Sequence, residues 1–249
     1  MGIENKEWFA EWFDTSYYHI LYKNRDNEEA KRFITRLVSH LPLKEGARVL
    51  DLACGKGRHS ITLSELGFDV LGADLSHKSI SCALKFAHDG LNFQVSDMRK
   101  PLEGKFFEGI FNLFTSFGYF DSLLDNEKVV SAIRQMLVDD GILVIDFMNA
   151  HRVIEELVAS EIKESEGITF SIDRTYDGSH IFKKIKFVAD NEEHTYTERV
   201  QALHFDHFKS LLEGQNFEIL RTFGDFDLNA FDERTSDRLI IVAQKKIWD

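Results

Sequence analysis

The sequence predicts an α/β fold built on a largely parallel sheet. Three observations predict it. An apolar β-type run, Val49 to Ala53, breaks at Gly55-Lys56-Gly57, and a helical pattern with Ile61, Leu63 and Leu66 follows at once. Further short apolar runs, 68–73, 91–95, 110–115 and 142–147, alternate with segments of helical period, the arrangement of a sheet joined by crossover helices. Acids sit on the first three runs: Asp51 within the first, Asp74 ending the second and Asp97 just past the third.

The glycine turn has a physical role. Without a Cβ, Gly55 and Gly57 can take positive φ and let a ligand lie against the backbone. Free N–H groups at the start of the next helix favour negative charge there. A dinucleotide fingerprint would put a third small residue at position 60, which is Ser60, so the turn alone leaves a dinucleotide open. The flanks narrow the choice. Asp74, about 20 residues beyond the turn, can accept hydrogen bonds from two ribose hydroxyls. Asp97 stands where an acid can bind an adenine amino group.

Val49-Leu50-Asp51-Leu52-Ala53-Cys54-Gly55-Lys56-Gly57-Arg58, Val70–Ser76 and Val95-Ser96-Asp97-Met98 resemble the first, second and third motifs of the class I S-adenosylmethionine-dependent methyltransferases. The resemblance is closest over 45–150, recognisable in the C-terminal strands, and weaker at the N-terminus and in 160–203. It implies a Rossmann-like seven-stranded methyltransferase sheet, order 3-2-1-4-5-7-6 with the seventh strand antiparallel. It implies S-adenosylmethionine as cofactor, bound by Asp51, Ala53, Gly55, Gly57, Asp74, Leu75, Asp97 and Met98. Arg58, at the helix start, is a candidate for the methionine carboxylate. Many methyltransferases of this kind carry Asp where Asn112 stands, a position that is not a usual cofactor ligand.

Taken in order, 5–22 is rich in Trp, Phe and Tyr, with Phe9, Trp12 and Phe13 at helical spacing. In relatives of this fold an N-terminal helix often lids the cofactor site, which makes Tyr17 and Tyr18 substrate candidates. A second helix runs from Asn27, its expected cap, to about His40. Residues 1–40 are therefore expected to form a helical lid. The run Ile110 to Thr115 reads as a buried strand. Its C-terminal end faces ligands in open α/β folds, which adds Thr115 and Ser116 to the cofactor set and Tyr119 to the acceptor side. Asn149, after the run 142–147, is an acceptor candidate on the same ground.

Residues 160–203 change period to alternation, in Ile168, Phe170, Ile172, then Ile181, Ile185, Phe187, then Tyr196, Val200, Ala202. Asp177-Gly178 and Asp190-Asn191 supply turns. A small antiparallel three-stranded insert over the acceptor pocket is expected, between core segments 41–159 and 204–249. Arg174 and Glu198 fall on the apolar parity of their strands. A buried charge needs a partner, so they should pair with each other, meet the substrate, or both.

Composition bounds the function. The chain has 249 residues and a net charge of −12, which argues against gripping a phosphate backbone. No run of 18 apolar residues exists, and Met1–Glu7 lacks both the apolar core of a signal peptide and the residue at position 6 that myristoylation wants. Two cysteines are too few for a disulfide framework, so a cytoplasmic protein is expected. The ten histidines include His204 and His207 at i, i+3, but no Glu or Cys constellation joins them; no metal is expected. The leading reading is a methyltransferase acting on an N or O atom of a small-molecule acceptor. An RNA or protein methyltransferase, a nucleotide-dependent oxidoreductase and a non-catalytic binding protein are the alternatives. No catalytic residue is assigned, because a methyl acceptor needs positioning more than acid–base help.

Overall fold

The computed structural model describes residues 8–23, 27–104 and 106–247. Met1–Glu7, on which the reading of leader and lipidation rests, and the expected cap side chain of Asn27 lie outside what is described.

The run Val49–Leu52 is buried throughout, because its strand is central and both faces are covered. That is why it reads as continuously apolar rather than alternating. This strand, β1 (Arg48–Leu52), pairs in parallel with β2 (Asp69–Asp74) and β4 (Phe107–Asn112). Outside β2 lies β3 (Leu91–Val95), and beside β4 lies β5 (Leu137–Met148), both parallel. Antiparallel β11 (Arg238–Lys245) then pairs β5, and β10 (Phe217–Phe223) closes the edge. The order β10-β11-β5-β4-β1-β2-β3 is the expected 3-2-1-4-5-7-6 once the insert strands are left out of the count.

Helices α3 (Asn27–Val38) and α4 (Arg58–Glu65) cover one face, where Phe33, Ile34, Leu37 and Leu63 meet Val49, Val70 and Val144. Helix α5 (His77–Ala83) starts at Ser76, whose hydroxyl accepts from the Ser79 N–H at 2.9 Å, the cap that the sequence signalled. Helices α6 (Leu123–Met136) and α8 (Phe205–Gly214) cover the other face through Val129, Ile133, Phe208 and Leu212. No described helix is long and apolar enough to cross a membrane.

The insert follows α7 (Ala150–Glu155) and has four strands rather than three: β6 (Ser160–Ser165), β7 (Ile168–Tyr176), β8 (His180–Ala189) and β9 (Glu192–Gln201), in that order. The extra strand, β6, is Ser-Glu-Ile-Lys-Glu-Ser, and its single apolar residue, Ile162, is exposed. An edge strand that buries no face has no period-2 signal to read. The apolar face of the insert packs Phe170, Ile172, Ile185 and Phe187 against Trp12 and Leu21 of the N-terminal helices α1 (Trp8–Trp12) and α2 (Ser16–Leu21).

A second difference lies at the end of β4. The expected strand to Thr115 stops at Asn112, and Phe114 and Thr115 both take φ near +60°. Apolar character carried the reading too far, because Phe114 and Thr115 are held in that conformation by residues distant in sequence.

Candidate active site

One cavity of about 430 Å³ opens at the C-terminal ends of β1 to β4, where ligands bind in open α/β sheets. Ala53, Gly55, Arg58, Asp74, Leu75, Asp97, Met98 and Ser116 of the expected cofactor set line it. So do Tyr18 and Tyr119 of the expected substrate set.

The glycine turn is set by bonds across strands. The N–H groups of Ala53 and Cys54 donate to the Ala73 carbonyl at 2.7 and 3.0 Å. The Gly55 N–H donates to Asp74 Oδ2, and the Ser76 N–H to Asp74 Oδ1, each at 2.8 Å. Both Asp74 oxygens are thus held from behind, with a lone pair left on each for a ligand. Burial pushes the Asp74 carboxyl up, opposed by those N–H groups. A Cβ on Gly55 would meet nothing within 4 Å, so the backbone there is open to the cavity.

Gly57 does something else. It does not line the cavity, and a Cβ there would come within 2.7 Å of the Phe93 ring. Its smallness serves the packing of α4 onto the sheet.

Asp51 is also placed behind the cavity. It is 1% exposed and accepts from Ser60 Oγ at 2.6 Å, which ties β1 to the start of α4 and explains the residue at position 60. Burial pushes its carboxyl up to about 6. A carboxyl raised in the folded state stabilises the fold below its unfolded value, and that contribution is lost as pH rises through about 6. Asp51→Asn should therefore gain stability relative to the unaltered protein between pH 4 and pH 7, by about 3 kcal/mol at most. Urea midpoints at the two pH values check this; parallel curves for both proteins would refute it.

Asp97 is paired. Arg99 donates to it from Nε at 3.0 and 3.1 Å and from Nη2 at 2.7 Å, and stacks over Phe120 with Cζ 4.7 Å from the ring centre. Burial alone would raise the Asp97 carboxyl, but the Arg99 bonds outweigh it and hold it below its ordinary value. Nothing in the motif pattern marked Arg99.

The N-terminal segment forms the opposite wall with Phe9, Phe13, Tyr18, His19, Tyr22 and Lys23. Asp14 accepts from Ser76 Oγ, pinning the segment to the start of α5. Tyr17 does not reach the cavity; its hydroxyl donates to Asp190 Oδ2 at 2.8 Å. Tyr119 reaches it with its hydroxyl bonded to the Thr115 carbonyl.

Four other expected site residues lie elsewhere. Thr115 does not line the cavity, and its Oγ1 accepts from Arg238 Nη2 at 3.1 Å. Asn149 is buried, and its Nδ2 donates to the Glu233 and Ser236 carbonyls at 2.8 Å each, holding the β10–β11 loop. Arg174 and Glu198 do not pair with each other. Arg174 pairs with Glu161 of β6 at 2.5 Å, the strand that the sequence hid. Glu198 accepts from Trp12 Nε1 at 2.7 Å and from the Tyr22 hydroxyl at 2.7 and 2.8 Å, with Lys183 Nζ at 3.9 Å. The insert thus supports the cavity wall from behind, and no insert residue lines the cavity. Among the described residues no group of His, Cys, Asp and Glu could hold a metal ion.

Residues 43–200 match the family model described as methyltransferase domain. The chain belongs to this family. It is a class I S-adenosylmethionine-dependent methyltransferase, with the sheet order that the three acid-bearing motifs implied. It is 27% identical over 231 residues to a protein named "Putative methyltransferase YqeM" of Bacillus subtilis (strain 168), covering 84% of this chain and 93% of that one. It is 28% identical over 237 residues to a glycine/sarcosine N-methyltransferase of Halorhodospira halochloris, covering 91% of this methyltransferase and 84% of that one. A crystal structure of an S-adenosylmethionine-dependent methyltransferase from Clostridium acetobutylicum ATCC 824 superposes with a TM-score of 0.79 at 16% identity, covering 93% and 96% of the two chains. That likeness is one of fold.

Proposed function

We propose that this methyltransferase transfers a methyl group to a nitrogen, or alternatively an oxygen, of a small-molecule acceptor held in the same cavity as the donor. One observation carries the reading. A single cavity has Asp74 and Asp97 from the strand ends on one wall and Phe9, Phe13, Tyr18 and Tyr22 on the other. Its volume of about 430 Å³ suits two small ligands rather than a polymer. The net charge of −12 weighs in the same direction against nucleic acid.

The residues fit the donor. The open backbone at Gly55 can lie against its methionine part, Asp74 can accept from its ribose hydroxyls, and Asp97 can accept from its adenine amino group. Arg58 lines the cavity and can meet its carboxylate. When bound, the donor supplies the electrophilic methyl carbon; the chain's part is to align the acceptor in line and exclude water. Of the expected lid, 1–40, segment 8–23 acts as the lid while α3 packs on the sheet, and the insert, 160–203, braces that lid. A neutral amine attacks through its own lone pair and sheds its proton afterwards; the neutral imidazole of His19, which lines the cavity, can take it. The similarity to a glycine/sarcosine N-methyltransferase supports nitrogen. Free thiols at Cys54 and Cys82 support a reducing, cytoplasmic setting.

Calorimetric titration with S-adenosylhomocysteine, against a nicotinamide dinucleotide control, tests the donor site. Micromolar or tighter binding of the former alone is expected, and selective nicotinamide binding would overturn the reading. A pool of small amines and alcohols with label in the donor methyl group then tests the acceptor class.

A further inference from the structure

The Phe114–Thr115 turn carries a cost that its sequence does not explain. Both residues have φ near +60°, a region that disfavours a bulky residue and a β-branched one most of all. Neither is Gly or Asn. Something outside the turn must impose the conformation, and two charged residues do so.

Asp146 of β5 is 1% exposed, and its pairing partner Arg238 of β11 keeps 16% of its side chain exposed. Arg238 Nε donates to Asp146 Oδ1 at 2.8 Å. The other carboxylate oxygen accepts from the Phe114 N–H at 2.8 Å, and the Asp146 carbonyl accepts from the Thr115 N–H at 2.9 Å. Arg238 Nη2 reaches Thr115 Oγ1 at 3.1 Å. The Phe114 ring has two guanidiniums near it, with Arg58 Cζ at 5.0 Å and Arg238 Cζ at 5.8 Å from its centre. Beyond the pair itself, the side-chain hydrogen bonds described for it go to the turn, while Arg238 also lies over Phe226 with Cζ 5.5 Å from the ring centre. A buried ion pair adds little to stability over apolar residues of the same size, so its geometry is what it contributes.

The turn matters because of what it carries. Leu113, Phe114 and Ser116 line the cavity, and the Thr115 carbonyl holds the Tyr119 hydroxyl. We propose that Asp146 and Arg238 are positioning residues, a clamp that holds the Phe114–Thr115 turn in its strained form and so sets the cavity wall against which the donor lies. The proposal rests on the reading of the cavity as the donor site.

The test uses S-adenosylhomocysteine titrations of the whole chain with four proteins: unaltered, Arg238→Met, Thr115→Gly, and the double variant. Arg238→Met should weaken binding tenfold or more while its circular dichroism at the assay temperature is unchanged. Thr115→Gly alone should stay within about twofold, because glycine takes positive φ freely. The double variant should recover most of the lost affinity, which a loss of general stability would not allow. Unchanged affinity in folded Arg238→Met, or no recovery in the double variant, overturns the clamp. If Arg238→Met does not fold, Thr115→Val carries the test. It keeps the strain and removes only the hydroxyl that Arg238 grips; at least threefold weaker binding supports the clamp and unchanged binding overturns it. Failure of the unaltered protein to bind removes the donor reading and the clamp with it, whereas tight binding that none of the variants alters removes the clamp alone.

Discussion

Asp74→Ala should reduce the affinity for S-adenosylhomocysteine by about 100-fold or more. Asp74 lies in the cavity wall with both oxygens already fixed by the Gly55 and Ser76 N–H groups, so on the proposed reading it would meet a ribose without reorganising. A hydrogen bond to a charged group contributes about 1.5–3 kcal/mol. Two such bonds lost, at about 1.4 kcal/mol for each tenfold, give roughly two to four orders of magnitude. The variant also frees the Gly55 N–H, which loosens the turn that the ligand lies against. Asp74→Asn keeps one carbonyl oxygen and should fall between. Titration of both variants by calorimetry checks the order. Binding by a folded Asp74→Ala protein within threefold of the unaltered one would falsify the assignment of Asp74 to the donor site.

Glu198→Ala should destabilise the fold by about 3 kcal/mol or more and release the N-terminal segment before the core unfolds. Glu198 is the common acceptor for Trp12 and Tyr22, which belong to the segment, and the partner of Lys183 within the insert. The two side chains are 15% and 17% exposed. Removing one member of a buried pair costs about 3–5 kcal/mol; Lys183 would keep its bond to the Tyr22 hydroxyl but lose its ion-pair partner. Lys183 is already held below its ordinary value by burial, with Glu198 opposing that effect, so the lysine left behind loses its main support. Glu198→Gln keeps the shape and one acceptor and should lose less. Urea denaturation measures the total, and amide hydrogen exchange over 8–23 locates it. A loss under about 1 kcal/mol with unchanged exchange in that segment would show that Glu198 does not hold the segment.

How far the sequence reached follows from the range of the interactions involved. The sheet was legible because a central strand buried on both faces leaves a continuous apolar run, and glycines and a serine cap mark where the chain turns. The acids at 74 and 97 were legible because their distances from the glycine turn are set by one and two crossover units. Gly57 and Asp51 share that motif yet stand behind the cavity, one against Phe93 and the other bonded to Ser60; sequence spacing places a residue in a motif without saying which way it faces.

The partners of isolated charges were out of reach. Arg174 found Glu161 on an edge strand with no buried face to betray it. Glu198 found two aromatic donors more than 170 residues away. The turn at Phe114–Thr115 read as strand because its conformation is imposed by Asp146 and Arg238, which reach it across the sheet. Local propensity and spacing determined the fold and the edge of the sheet at which the cavity opens. Only the tertiary structure decided which side chains face the cavity, because charges and strained turns are satisfied by whatever the folded chain brings within about 3 Å.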